Sequence, residues 1–322
     1  MHGDVAQQLS YVPWDIHHGG GGLGALPKFK LLLKEALKLN RNLVISSEGF
    51  DRLNVKEATV FKQMVAGFDV TVVFVYREWL SLFISWHSQM EKSEENDFTD
   101  PFSEYLMKHM DNLEDGMKPL TVLDTYEQVF GANNVHVVDY YGTHAAGVDI
   151  AYAVLCEVGG VLCTRPELFI NTVAANTKES LVTAQLYSQF RLYMRSASNC
   201  NNCPGQAHHT LRQNFIDFYR TNKHKPATLP LVRSSLKLLQ PYAEQQDNLV
   251  EEKYGERMVH ANHTANTAVR EKEVHVEEVD LKLLWVGRFW LDFCRAALQH
   301  AQQARLVCGC GEARAPAANS QH

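Results

Sequence analysis

No uninterrupted apolar run in the 322 residues approaches the roughly 20 needed to cross a membrane. Met1 to Tyr11 have neither a basic region nor an apolar one, which predicts no signal peptide. Basic charge is not in surplus either. Lys and Arg number 31 against 37 Asp and Glu, a formal net charge of -6, so the chain has no global footprint for nucleic acid. A local cluster can still hold an anionic cofactor, because a cleft concentrates field where net charge does not. With 45% hydrophobic and 21% charged residues, the composition excludes a fully disordered chain, a collagen-like chain and a coiled coil. The seven cysteines are an odd number, which leaves at least one thiol unpaired within a monomer. A chain of this length has core enough to fold without disulfides, so their redox state is not legible.

What is present reads as alternating helix and strand. Gly19 to Gly22 with Gly24 make a flexible loop. Pro27 opens a helical pattern with Phe29, Leu32, Leu33, Ala36 and Leu37 on one face. Asn42 to Ser46 reads as a buried strand and Lys56 to Phe68 as helix. Val70 to Tyr76 is the strongest strand, apolar throughout, as expected for a strand covered on both faces. Helix follows over Glu78 to Lys92, Pro101 to Met110 and Thr121 to Phe130, then a strand over Val135 to Tyr141 and helix over Gly147 to Val158. Beyond Pro166 no strand is expected. Lys178 to Arg195, His208 to Tyr219, Leu231 to Lys253 and Val279 to Arg305 carry helical periodicity. The pattern predicts an α/β fold: a parallel sheet with flanking helices, then a mainly helical C-terminal half. Three strands are few for an open doubly wound sheet, which usually has about five.

Val72 to Lys92 is the segment richest in chemistry. A buried strand ends at Tyr76, Arg77 stands at its carboxyl end, and Ser85 follows two turns into the next helix. Ligands of open α/β sheets bind outside the carboxyl ends of the strands. A guanidinium there can hold a phosphate through two parallel hydrogen bonds, and a nearby hydroxyl can add a third. The plainer reading makes Arg77 a partner of Glu78 or of a surface carboxylate, and Ser85 a small packing residue.

This segment resembles the 3′-phosphate-binding motif of sulfotransferases that use 3′-phosphoadenosine 5′-phosphosulfate (PAPS). There a strand ends in Arg, and Ser follows eight residues later on the next helix. Arg77 and Ser85 match that pattern. Asn42 to Phe50 (NLVISSEGF) is similar to the strand, Ser-Ser-Glu, aromatic segment of carbohydrate-type and bacterial-type members. Asn134 to Gly142 (NVHVVDYYG) is similar to a later strand, and Tyr242 to Gly255 (YAEQQDNLVEEKYG) to a segment near the end of such domains. The resemblance runs over roughly residues 26 to 255 in the family's order. It implies a P-loop-NTPase-like fold and transfer of a sulfuryl group from PAPS, as co-substrate, to a hydroxyl or amine acceptor such as a carbohydrate. Sulfuryl transfer parallels phosphoryl transfer, in which positioning and charge stabilisation do most of the catalysis. A base must take the acceptor's proton. Glu48 is the candidate, expected just past the carboxyl end of the Asn42 to Ser46 strand and facing the same crevice as Arg77. Its alternative role is to complement a helix N-terminus. His17, His18 and His87 are rival bases.

The family's other anchor is a Gly/Ser/Thr-rich loop with a Lys, which holds the transferring group. The first Lys here is Lys28, and no Gly-Lys-Ser/Thr sequence precedes residue 42. Gly19, Gly21 and Gly24 formally spell G-x-G-x-x-G, but Ala25 and Leu26 stand where a P-loop needs Lys and Ser/Thr. The expectation is therefore that a strand and loop normally precede Met1, or that the chain is an inactive, nucleotide-binding relative. Another P-loop relative, such as a small-molecule kinase, is a further alternative.

Other signals are weaker. Cys200, Cys203, His208 and His209 could supply zinc ligands, but adjacent histidines rarely both reach one metal. A disulfide between Cys200 and Cys203, or free thiols there, is the simpler reading, and no metal is expected. Cys308 and Cys310 fall in a tail, residues 307 to 322, expected to be disordered. Asn262-His263-Thr264 is an N-glycosylation sequon that matters only in a secretory setting. The aromatic stripe of Val279 to Arg305 is expected to be core. The expected organisation is an irregular segment over 1 to 25, one sulfotransferase-like domain over 26 to 306 with its α/β core ending near 165, and the tail. No membrane anchor lies in the chain. A Golgi location follows if an anchor precedes it, and a cytoplasmic one otherwise. The acceptor and the oligomeric state stay open.

Overall fold

The computed structural model describes residues 12–18, 24–92, 118–161, 163–164, 182–183, 185–187, 189, 213, 215–223, 225–226, 228–230, 233–273, 277–279 and parts of 288–299. The Pro101 to Met110 helix, the Gly19 to Gly22 loop, Cys200 and Cys203 with His208 and His209, and the tail with Cys308 and Cys310 lie outside the described residues. The protein is α/β, mostly helical, with a small parallel sheet. It forms two compact units. The first draws its described residues from 12–79, 118–164 and 241–270, and the second from 80–92, 182–240 and 271–299.

The first unit opens with α1 (Val12–His17) and α2 (Ala25–Lys38). Asp15 of α1 is fully buried, and its carboxylate accepts from the backbone N–H groups of Ala25 (2.6 Å) and Leu26 (3.2 Å). It thus supplies two of the first-turn N–H groups of α2 with an acceptor, and a carboxylate also suits the positive end of the helix dipole. Gly24, at φ 72°, makes the left-handed turn that brings α2 back. α2 buries Ala25, Phe29, Leu33 and Ala36, a narrower stripe than the sequence predicts. Leu37 is instead half-exposed and covers Gly67. α3 (Val55–Met64) carries a complete capping box between Asn54 and Glu57. α5 (Pro119–Phe130) starts on a proline and stops at Gly131. Phe61 of α3 sits among Phe50 (4.9 Å between ring centroids), Phe29 (6.0 Å) and Phe130 (6.4 Å). Truncating such a ring to Ala costs roughly 3–5 kcal/mol.

Against these helices lies the sheet: β1 (Val72–Tyr76), β2 (Val135–Asp139) and β4 (Met258–Val259), all parallel, in the order β1-β2-β4. β1 and β2 pair from Val72 with Val135 to Tyr76 with Asp139. Three expectations are corrected here. Asn42 to Ser46 is not a strand. Leu43 and Ile45 face the core and Val44 faces solvent, so the alternation of a strand is present without a ladder partner. β1 is not covered on both faces. It is an edge strand among the described residues, and Val75 is exposed. Strands do occur beyond Pro166. β4 completes the sheet, and β3 (Thr228–Pro230) pairs antiparallel with β5 (Glu277–Val279) in the second unit. Ladder hydrogen bonds define these two- and three-residue strands, and no periodicity is long enough to announce them.

β2 ends two residues earlier than the sequence suggests. Asp139 accepts from the N–H of Gly142 (2.9 Å) and so caps α6 (Tyr140–Ala145), turning Tyr140 and Tyr141 into a helix. Next come Ile150–Tyr152 and a π-helical turn, Ala153–Val158, which a Cys156–Cys163 disulfide ties to the chain beyond it. α7 (Arg233–Tyr254) carries Pro241 in its interior, where one helical hydrogen bond is lost, and its share of the first unit begins at that proline. α8 (His263–Glu273) follows β4. Its low apolar content hides it from a hydrophobic-period reading.

In the second unit, α4 (Trp79–Lys92), which leaves its first residue in the first unit, buries Leu80, Phe83, Ile84 and His87 at helical spacing. Tyr187 packs on Phe215 (5.5 Å), and Phe218 on Phe289 (6.0 Å). Phe289 is the buried member of the expected aromatic stripe among its described residues, while Leu291 is exposed.

Candidate functional site

The carboxyl ends of β1, β2 and β4 deliver Tyr76 with Arg77, Asp139 with Tyr140 and Tyr141, and Val259 with the loop to α8. Arg77 is half-buried. Its Nε–H donates to the hydroxyl of Tyr141 (3.0 Å), and its guanidinium lies over the rings of Tyr140 (5.6 Å) and Tyr141 (5.7 Å). The Tyr140 and Tyr141 rings and the hydrogen bond to Tyr141 restrain the guanidinium. Glu78 is engaged elsewhere, by Arg270.

Behind Tyr76 lies a buried polar network. Asp247 of α7 accepts from the Tyr76 hydroxyl, the Trp79 N–H (3.2 Å) and Arg270 Nη2 (2.5 Å). Arg270 of α8 also reaches Glu78 (3.4 Å) and Glu244 (3.7 Å). Burial pushes the Asp247 carboxyl above the usual carboxylate range, against the pull of its hydrogen bonds and of Arg270. Burial, then the charges of Asp247, Glu78 and Asp139, push the Tyr76 phenol far above its ordinary value. It is a permanent donor. Asp139 is equally occupied. Its second oxygen accepts from the N–H of Asn262 (2.9 Å) and the side-chain amide of Asn266 (2.8 Å). Between these groups is a cavity of about 70 Å³ lined by Tyr76, Asp139, Asp247, Asn262, Asn266 and Arg270, with Glu251 and His263 on its half-exposed side.

The residues expected in the site divide as follows. Arg77 stands at the carboxyl end of β1, where the sequence puts it. Ser85 is half-buried two turns along α4 and belongs to the second unit. Glu48 opens a 3₁₀ turn, Glu48–Arg52, capped by Ser47 and pinned where the Tyr126 hydroxyl donates to the Phe50 carbonyl (2.7 Å). The shared sheet that would set Glu48 beside Arg77 is absent among the described residues, because residues 42–46 form no ladder. Of the rival bases, His17 pairs with Glu57 (3.0 Å) and His18 stacks on Trp14. His87 is fully buried, and burial lowers its pKa to about 3, which leaves it no base strength at neutral pH. The sequon residue Asn262 caps α8 through a bond from the N–H of Ala265 (3.0 Å).

Sequence reasoning missed Asp139, Tyr140, Tyr141, Asp247, Asn266 and Arg270 as site residues. The signal for four of them lay in quoted segments: Asp139 to Tyr141 in NVHVVDYYG, and Asp247 in YAEQQDNLVEEKYG. Asn266 and Arg270 lie on α8, which had no signal. Among the described residues no three His, Cys, Asp or Glu side chains converge as metal ligands, and no helix is long and apolar enough to cross a membrane.

No protein-family model matches the chain, and no curated protein or solved structure shows significant similarity to it.

Proposed function

We propose that the protein has a P-loop-like sulfotransferase core that binds an adenosine 3′-phosphate nucleotide at Arg77 and uses PAPS to sulfate a hydroxyl or amine. The observation that carries this reading is the held Arg77 fork at the carboxyl end of a parallel strand, clasped by Tyr140 and Tyr141 from the end of its neighbour. Three of the segments that resemble the family also converge in the first unit. Tyr76 of the first bonds Asp247 of the last, Tyr242 packs edge-on against Trp79 (5.0 Å between rings), and β2 lies beside β1. In this reading Glu48 is the base. The test is calorimetric titration of 3′-phosphoadenosine 5′-phosphate into the full chain. Saturable binding that Arg77→Ala abolishes is expected. No binding, or binding unchanged by Arg77→Ala, overturns the assignment. Preference for ATP would instead favour a kinase-like relative.

A further inference from the structure

The 70 Å³ cavity lies in a strongly acidic setting. Asp139, Asp247 and Glu251 line it, and Glu78 and Glu244 reach the same Arg270 from behind. Against these five carboxylates stand Arg270 and His263. An anionic group is repelled from such a site and a cation is favoured. Arg270, the Asn262 N–H and the Asn266 amide already donate to carboxylates of the cluster. The side-chain oxygen of Asn266, a lining residue only 8% exposed, is a buried acceptor with no hydrogen-bond partner. Leaving a buried acceptor unpaired costs about 1–3 kcal/mol, so the cavity calls for an occupant that donates. The volume admits a small polar group or a few waters. Metal-ligand geometry is absent among the described residues, which disfavours an inorganic divalent cation.

We infer that this cavity binds the ammonium head of a small primary amine, with Asn266 accepting one of its N–H bonds and the carboxylates supplying the field. This rests on the proposed function and narrows it, since it selects an amine over a hydroxyl as the acceptor group. His263 and Glu251, 2.6 Å apart, stand on the half-exposed wall.

The probe is methylammonium chloride, titrated into the full-length protein and followed by the amide resonances of Gly142, Asn262 and Asn266. Potassium chloride and ethanol serve as controls at matched concentration. Saturable shifts with methylammonium alone are expected. Glu251→Gln, at a half-exposed position that folding tolerates, should weaken binding about three- to fivefold. No saturable shift, an equal response to ethanol or potassium, or unchanged affinity in Glu251→Gln overturns the inference. Nucleotide titration is scored separately. Methylammonium binding without nucleotide binding sinks the sulfotransferase reading and leaves the amine site standing. Nucleotide binding without methylammonium binding does the reverse.

Discussion

The carbonyl oxygen of His260 occupies the space where a side chain at Gly142 would begin: a Cβ built there lies 1.9 Å from it. The carbonyl has little room to retreat. His260 is in the left-handed region (φ 58°), its imidazole pairs with Glu157 (2.7 Å), and Asn262 two residues on is tied to Asp139. Gly142→Ala should therefore destabilise the first unit by about 2–3 kcal/mol, the upper range for overpacking. Chemical denaturation of the variant checks this, and a loss below about 0.5 kcal/mol would mean that the loop before α8 moves freely.

The Arg270 guanidinium holds both Asp247 and Glu78, which are buried. Arg270→Met should cost about 3–5 kcal/mol, because it removes a paired cation from buried carboxylates. Adding Asp247→Asn should recover part of that loss. Urea melts of the single and double variants give the coupling, and strict additivity would deny that the two act as a pair.

His87 makes acid stability a property of the second unit. Its folded pKa, about 3, lies below the ordinary 6.5, so its contribution is complete above pH 6.5 and is lost as pH falls towards 3. Within that window the loss runs at roughly 1.4 kcal/mol per pH unit. His87→Gln should flatten the fall in melting temperature between pH 6.5 and 5. An identical slope in the variant would place the titration elsewhere.

The Cys156–Cys163 bridge closes a loop with a sequence separation of 7. Loop-closure entropy gives such a link about 2–3 kcal/mol. Dithiothreitol should lower the melting temperature of the wild type and leave Cys156→Ser/Cys163→Ser unaffected.

Tyr141→Phe removes the hydrogen bond that fixes Arg77 while keeping the ring beneath it. On the nucleotide-binding reading, affinity for 3′-phosphoadenosine 5′-phosphate should fall about three- to tenfold, far less than in Arg77→Ala. An equal loss in both variants would assign Tyr141 itself to the ligand.

The long, periodic elements were readable because their stripes are also their buried faces. Phe29 and Leu33 of α2 and Leu80 and Phe83 of α4 show this. Asn42 to Ser46 misled because inward-facing Leu43 and Ile45 look the same with or without a ladder, and only a neighbour makes a strand. α1, β4 and α8 were invisible for other reasons. α1 has six residues, β4 has two, and α8 is pinned through Arg270 and Asn266 rather than through apolar burial. In the site, Arg77 was legible from its place after an apolar strand. Its clasp by Tyr140 and Tyr141 was not, since it depends on where Asp139 ends β2.

β4 consists of Met258 and Val259, pairing with Val137 and Val138 far earlier in the chain. During synthesis, the edge of β2 that β4 fills therefore waits until Met258 and Val259, far beyond Val138 in the chain, have been made. Asp139 likewise waits for Asn262 and Asn266, and Asp247 for Arg270. Such distant pairings pay their loop entropy before contacts repay it, so the sheet of the first unit should mature late, after β4 and α8 have been made. A nascent chain stalled before Met258 presents an unfinished sheet, the kind of surface that chaperones are built to cover.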